Sequence, residues 1–236
     1  MEKYSKNSDT SYALGTTLTF ELLKRKSTHA KRIYISPKQK RDATYESIVT
    51  LAKKNQIPVI ENNEKIFRQL SEKDNCMVIG EFLKWNDSLN SDESHIVLVH
   101  PSNKGNLGTI LRSAAAFSYK GIAIISPAAD AFDPKTVRSS MGAIFSVPFS
   151  YYDSFESYQK EMGERHYYPF MLQAKEYLGS ETILKPYSLI FGNEATGLDS
   201  SFLKIGTPLK IPQSSDVDSL NLDNAVSIAL YEFSKK

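Results

Sequence analysis

The chain has 236 residues and 41% hydrophobic content, enough for a sizeable core in one large or two modest domains. Its net charge is +2, it has one cysteine, Cys76, and it lacks any run of about 18 apolar residues. These features exclude an internal disulfide framework, a cysteine-based zinc cluster and a helical membrane span. The opening MEKYSKNSDTSYALG has no apolar stretch like that of a signal peptide, so a soluble cytoplasmic protein is expected. The four histidines, His29, His95, His100 and His166, show none of the usual metal-ligand spacings, and no metal is expected.

Charge is unevenly placed. Residues 1–86 carry 16 Lys and Arg against 10 Asp and Glu, whereas residues 87–236 carry 13 against 17. Within the first part, LLKRKSTHAKRIYISPKQKR holds eight basic residues (Lys24, Arg25, Lys26, Lys31, Arg32, Lys38, Lys40 and Arg41) and no acid. Such a run suits neutralisation of phosphates on RNA or DNA, and it equally suits a solvated lysine-rich surface, so a second feature must decide.

In chain order, FELLKRK, RIYIS, TYESIVTLAKKN, IPVIE, KIFRQLS and NCMVIGEFL alternate helix-like and strand-like patterns, which predicts a small α/β domain over 1–88. The polar, acidic DSLNSDES at 87–94 reads as a linker. Beyond it, HIVLVH, GIAIIS, YPFML, SLIFG and PLKIP read as buried strands, with helices predicted at 106–118, 134–142, 153–164 and 221–234. This alternation over 95–236 predicts a second α/β domain with a mainly parallel sheet covered on both faces. Ligands in such sheets sit beyond the carboxyl ends of the strands, which singles out three loops: HPSNKGNLG, GNEATGL and IPQSSDVDSLN.

The first loop leads into a helix. Advancing about 100° per residue places Leu107, Ile110, Leu111, Ala114 and Ser118 in one apolar sector, and Arg112 opposite, beside Gly108, Ala115 and Ala116. Periodicity alone makes Arg112 an ordinary solvent-facing residue, yet its small neighbours would let a phosphate or carboxylate reach the guanidinium. Gly105 and Gly108 suggest a phosphate-cradling loop at the helix N-terminus. The glycines and lysine that define dinucleotide and nucleoside-triphosphate loops are missing, which disfavours both ligands. In the second loop Glu194 stands between Gly192 and Gly197, either as a solvated acid in a turn or as a carboxylate close to a ligand. The third ends in an apolar helix beginning around Asn221, with Ser219 as its expected N-cap and Asn224 nearby, so several hydrogen-bonding groups meet at one helix start.

Taken together, the three loops resemble the three motifs of the SpoU, or TrmH-type, branch of the SPOUT RNA methyltransferases: Asn106 to Arg112 in NLGTILRSA, then FGNEATGL, then IPQSSDVDSLNLDNA. The stretch DPKTVRSSMGAIFSVPF is similar to the family's segment around Arg-x-Ser-x-Gly-Ala, here Arg138 to Ala143. The resemblance covers about residues 95–234, and the N-terminal part more loosely resembles an L30e-type RNA-binding domain. It implies an α/β trefoil-knot domain, S-adenosylmethionine as cofactor, a homodimer with its sites at the subunit interface, and methylation of a ribose 2′-OH. By position it implies a catalytic group of Arg112, Asn106, Glu194, Ser219 and Asn221, in which Arg112 acts on the 2′-OH and the others order the pocket. It implies cofactor contacts from Phe191, Gly192, Gly197, Ile211, Pro212 and Leu220, and RNA contacts from Lys24, Arg25, Lys26, Lys31, Arg32 and Arg138.

The chain departs from the family pattern at Gln213, where methionine is usual, at Ser215, where glycine is usual, and at Leu222 and Asp223, where a valine-serine pair is usual. In the N-terminal part, KDNCMVIG replaces a His-Gln-Gly turn. Two alternatives follow: a tRNA substrate in place of ribosomal RNA, which a separate basic domain suits better, and an RNA-binding protein that has lost methyl transfer. Arginine is an awkward base because its pKa is above about 12, so Arg112 is expected to act mainly as a cation. Glu194 and then His100 are the other candidate bases.

Overall fold

The structure, a computed structural model, describes residues 4–61, 63–70, 76–179 and 182–235. Its contacts divide the chain into two units: Met1–Trp85 with Asp130–Ser146, and Asn86–Ala129 with Val147–Lys236. The expected boundaries, 1–88 and 95–236, put residues 130–146 in the second unit, whereas the contacts put them in the first. Of the KDNCMVIG turn, Lys73 to Asn75 lie outside the described residues.

The N-terminal unit runs β1 (Thr10–Leu14), α1 (Thr16–Arg25), β2 (Ala30–Ile35), α2 (Ala43–Lys54), β3 (Val59–Glu61), α3 (Glu64–Leu70) and β4 (Val78–Leu83). Its sheet has the order β1-β4-β2-β3, with β4 antiparallel to both neighbours and β2 parallel to β3. The period of two along the strands sorts the core. Ile33, Ile35 and Val78 pack with Leu23, Ile48 and Ala52 in one cluster, while Tyr12, Tyr34 and Ile79 pack with Ile66 in another. Asp42 starts α2 by accepting hydrogen bonds from Thr44 N and Tyr45 N. Strand β1 lies outside the predicted elements, because TSYAL carries three hydroxyl residues. Its Ser11 is buried, and its hydroxyl donates to the backbone oxygen of Phe132.

In the C-terminal unit, β5 (His95–Val99), α4 (Lys104–Ala116) and β6 (Ile122–Ile125) come first. The chain then contributes α5 (Pro134–Ser139) to the N-terminal unit and returns as β7 (Phe149–Tyr152), α6 (Phe155–Met162), β8 (His166–Pro169), β9 (Glu176–Tyr177), β10 (Tyr187–Phe191), β11 (Leu209–Lys210) and α7 (Leu222–Ser234). The sheet order is β7-β6-β5-β10-β8 and all four pairings are parallel. Every residue of β5, β6 and β10 is buried, which is why these strands read as unbroken apolar runs. Val97, Val99, Ala123, Ile125 and Ile190 meet Phe155, Tyr158 and Met162 of α6 on one face. On α4, Leu107, Ile110, Leu111 and Ala114 are buried as the periodicity predicts, but Ser118 lies beyond the helix and is exposed.

Two strand expectations need correction, and one strand was not expected. PLKIP is not part of the main sheet: β11 pairs with β9 in a two-stranded parallel ribbon, and Leu209 adds an isolated bridge to Phe170. YPFML is shifted, because β8 ends at Pro169 and leaves Phe170 to Leu172 in the loop beyond. The edge strand β7 was missed, since FSYY has aromatic residues and a serine in place of an aliphatic run.

The segment from Asp130 to Ser146 completes the N-terminal unit. Asp133 caps α5 and Pro134 opens it. Phe132 and Phe145 pack with Phe82 and Trp85, the Trp85–Phe132 rings being 4.8 Å apart edge to face.

Candidate active site

The three loops converge at the carboxyl end of the parallel sheet, and one carboxylate gathers two of them. Glu194 Oε2 accepts from Ser102 N and Ser102 Oγ, both at 2.9 Å, and Oε1 accepts from Asn103 N at 3.1 Å and Asn106 Nδ2 at 3.2 Å. Burial is the largest single influence and raises its pKa, but the hydrogen bonds from Ser102 and Asn103 together outweigh it and hold the carboxyl below its ordinary value. A carboxylate with four donors is a poor proton acceptor. It is a staple for the loop that enters α4.

Asn106 carries the connection to the third loop. Its Nδ2 also donates to Asn221 Oδ1 at 3.2 Å, so the two protons of one amide reach two different loops. Asn221 Oδ1 accepts from Leu222 N at 2.9 Å and caps α7. Ser219, expected in that role, lies two residues too early; it is exposed and lines the cavity below. Asn103 caps α4 by accepting from Gly105 N and Asn106 N. The amides expected to cradle a phosphate are therefore committed to Asn103 and Glu194, and Gly108 is buried inside the helix.

The second loop is tight for a steric reason. A Cβ on Gly192 would fall 2.1 Å from the backbone carbon of Gly197 and 2.3 Å from Leu198 N, so only glycine lets the loop close on itself. The close approach that the sequence suggested to a ligand is thus an approach to the chain's own backbone. Asn193 Oδ1 accepts from Ala195 N and Thr196 N inside the turn, and its Nδ2 donates to His100 O at 2.8 Å. His100 is exposed, at a φ of +55°, and what it gives the site is that backbone oxygen.

These loops wall a cavity. Of the residues singled out in the sequence, Phe191, Gly192, Glu194, Gly197, Ile211, Ser219 and Leu220 line it, whereas Pro212 is exposed and is not on the wall. Asn106 and Asn221 do not line it; Asn106 links Glu194 on the wall to Asn221 at the start of α7. Sequence reasoning missed Phe170, Met171, Leu172 and Gln173, the loop that follows β8. The rule that found the other loops would have found this one too, had the strand been ended at Pro169. Phe170 stacks on Phe191, with centroids 4.6 Å apart and planes 11° from parallel. Gln213 also lines the cavity, and its Nε2 donates to Asp218 O.

Arg112 is not on that wall. It is exposed on α4, and its guanidinium has no hydrogen-bond or ion-pair partner among the described residues. Beside it Ala115 and Ala116 are exposed, and Ser113 Oγ meets Ser227 Oγ of α7 at 2.8 Å.

A family model described as the SpoU rRNA methylase family matches residues 93–231, the span that holds all three loops. The chain belongs to the SpoU family. A second model, described as RNA 2′-O ribose methyltransferase substrate binding, matches residues 12–76. The SpoU chain is 32% identical over 145 residues to the 23S rRNA (uridine(2479)-2′-O)-methyltransferase of Streptomyces viridochromogenes, covering 58% of this chain and 50% of that protein. It spans about half the length of the first curated relatives it matches. An AdoMet-bound rRNA methyltransferase from Sinorhizobium meliloti superposes with a TM-score of 0.81 at 28% identity, covering 96% of this chain and 87% of that one. A structure described for 2-OH methylation of C/U34 on tRNA superposes with a TM-score of 0.55 at 29% identity, covering 61% of this chain and 95% of that one.

In this SpoU protein the expected basic face is partly neutralised. Lys31 and Arg32 both pair with buried Glu81, at 3.2 Å and 3.1 Å, and Tyr34 OH donates to the same carboxylate. Arg25 pairs with Glu21, and Lys26 lies over the Trp85 ring. Lys24 and Arg138 are exposed. No group of three His, Cys, Asp or Glu side chains able to hold a metal occurs among the described residues.

Proposed function

We propose that this SpoU-family protein is an S-adenosylmethionine-dependent methyltransferase acting on a ribose 2′-OH, with ribosomal RNA as its substrate. The observation that carries the reading is the Glu194–Asn106–Asn221 network, which ties the three motif loops around one cavity.

The cavity suits the cofactor chemically. Phe170, Phe191, Ile211 and Leu220 would give an apolar wall to an adenine ring, Ser219 and the backbone of the 192–197 turn would give polar edges, and Glu194 keeps a negative charge on the wall, which suits a cationic cofactor. The bound cofactor supplies a methyl group already activated by positive charge. What remains for the chain is alignment, which in favourable cases lowers a barrier by about 7–11 kcal/mol, and easier loss of the hydroxyl proton. Glu194, saturated with donors, leaves that second task to Arg112, which as a cation holds the neighbouring phosphate and stabilises the developing alkoxide.

Because Arg112 is exposed and absent from its own chain's cavity wall, the reading includes a homodimer in which it serves the site at the subunit interface. The exposed Ile228 and Tyr231 of α7, with Ala115, Ala116 and the half-buried Phe117, offer an apolar patch for that contact. It also includes the trefoil-knot threading of the C-terminal unit and an L30e-type role for the N-terminal mixed sheet. Ribosomal RNA is favoured over tRNA because the similar rRNA methyltransferase covers both units of this chain, whereas the similar tRNA-related structure covers 61% of it.

The test has two arms. Calorimetry should detect S-adenosylmethionine binding, and ribose 2′-O-methylation mapped in rRNA and tRNA from cells with and without the gene should reveal a site lost from rRNA. Cofactor binding without a lost site in either pool would favour an RNA-binding protein that no longer transfers methyl groups.

A further inference from the structure

The turn that ends α5 has two successive residues in the left-handed backbone region, Met141 at φ +50° and Gly142 at φ +92°. The glycine has a steric reason. A Cβ there would stand 2.8 Å from both Cβ and Cγ of Glu21, so its absence lets the turn rest directly on α1. Met141 follows Ser140, the C-cap of α5, where a left-handed residue commonly closes a helix, but that position usually falls to glycine and here carries a long apolar side chain. L side chains rarely adopt this conformation, and at 51% exposure the side chain gains little from burial.

The surroundings are cationic. Met141 N donates to Arg138 O at 3.1 Å, so Arg138 lies one turn back on α5, and Lys135 lies one turn before that; both are exposed. Across the Gly142–Glu21 contact, the last turn of α1 carries Lys24 and Arg25. Glu21, the acid at this contact, is paired with Arg25, whereas Lys24, Lys135 and Arg138 have no ion-pair partner among the described residues. All of these groups belong to the N-terminal unit, so the segment 130–146 adds to the surface that carries the basic run.

We propose that Met141 is an RNA contact: its thioether packs against the face of an unstacked base while Arg138, Lys135 and Lys24 hold flanking phosphates. Methionine suits this task because its flexible, polarisable side chain adapts to any flat apolar face. Recognition of RNA commonly combines a packed, splayed base with cations along the backbone. The inference rests on the RNA-methyltransferase reading and extends it by naming a residue at a position that the Arg-x-Ser-x-Gly-Ala segment leaves unspecified.

Met141→Gly is the informative variant, since glycine accepts the left-handed backbone and the fold should be kept. Affinity would be measured by fluorescence anisotropy on end-labelled total rRNA and total tRNA from the source cells, at several salt concentrations. Met141→Gly should weaken rRNA binding about fivefold, or about 1 kcal/mol, with an unchanged salt slope. Arg138→Ala should weaken binding and reduce the slope by about one. The thermal midpoint of Met141→Gly should be no lower than that of the parent, and its S-adenosylmethionine affinity unchanged. Parental rRNA affinity in Met141→Gly, or a loss matched by weaker cofactor binding, overturns the proposal alone. Failure of the unmodified protein to bind either RNA pool overturns the functional reading and the proposal with it.

Discussion

Replacing Glu194 with glutamine tests the staple most directly. The change keeps shape and one oxygen, so Asn103 N and Asn106 Nδ2 retain an acceptor, but it turns an NH2 toward Ser102 N. Ser102 Oγ can reverse its role and accept, whereas the backbone amide cannot, and every remaining bond loses its charge assistance. Hydrogen bonds to charged groups contribute about 1.5–3 kcal/mol each, and water reaches this half-buried site, so the C-terminal unit should lose roughly 1–3 kcal/mol. The pH dependence follows from the depressed carboxyl pKa. Stability linked to Glu194 is complete above the unfolded-state pKa of about 4.3 and disappears as pH falls through the lower folded-state value. Urea denaturation of both proteins between pH 7 and pH 3, followed by circular dichroism, should show a gap that is constant down to about pH 5 and narrows below it. A gap of the same size at pH 3, or none at pH 7, would refute the assignment of the carboxylate as an ionised staple.

Three further expectations follow from the geometry. Gly192→Ala sets a Cβ against the 197–198 backbone, so the second loop must open; S-adenosylmethionine affinity by calorimetry should drop at least about tenfold, with a stability loss of about 1–3 kcal/mol. Arg112→Ala removes an exposed side chain that has no hydrogen-bond or ion-pair partner among the described residues, so stability should change by less than about 0.5 kcal/mol while single-turnover methylation collapses. If Arg112→Lys restores nearly full rate and shifts the pH profile with the ammonium pKa, the residue is a base and the cationic role is wrong. His95 is fully buried against Tyr158 OH, and burial, with the Arg165 guanidinium nearby, pushes its pKa down to about 3. The unfolded chain takes up a proton near pH 6.5 that the folded chain refuses, so stability should fall by about 1.4 kcal/mol per pH unit on acidification from there, and His95→Gln should flatten the slope measured by denaturation midpoints.

The strands that hold the site were legible because they are buried on both faces: HIVLVH, GIAIIS and SLIFG have no polar alternation to confuse their length. The half-exposed β7 and the largely buried β1, both short and rich in hydroxyl and aromatic residues, give no such signal. Helix interiors were legible and their caps were not. Ser219 and Asn221 are both good capping residues by type, and only the path of the backbone, which gives Leu222 N to Asn221, distinguishes them. The basic run was read correctly as charge but not as free charge, since the acid that claims Lys31 and Arg32 is Glu81, some fifty residues away in sequence and adjacent only across the sheet. Arg112 was placed on the outer side of its helix by periodicity, and there it stands.

The contribution of Asp130–Ser146 to the N-terminal unit has a bearing on modularity. A gene cut at the polar linker would yield a first fragment whose Phe82 and Trp85 have lost Phe132 and Phe145. The second fragment would carry Phe132, Val137, Ile144 and Phe145, all buried in the intact chain, with nothing of their own unit to cover them, and would be prone to aggregate. The two units are therefore not beads on a string that recombination can shuffle by moving one boundary. A working exchange of the RNA-binding part between relatives has to carry two separate stretches of sequence at once.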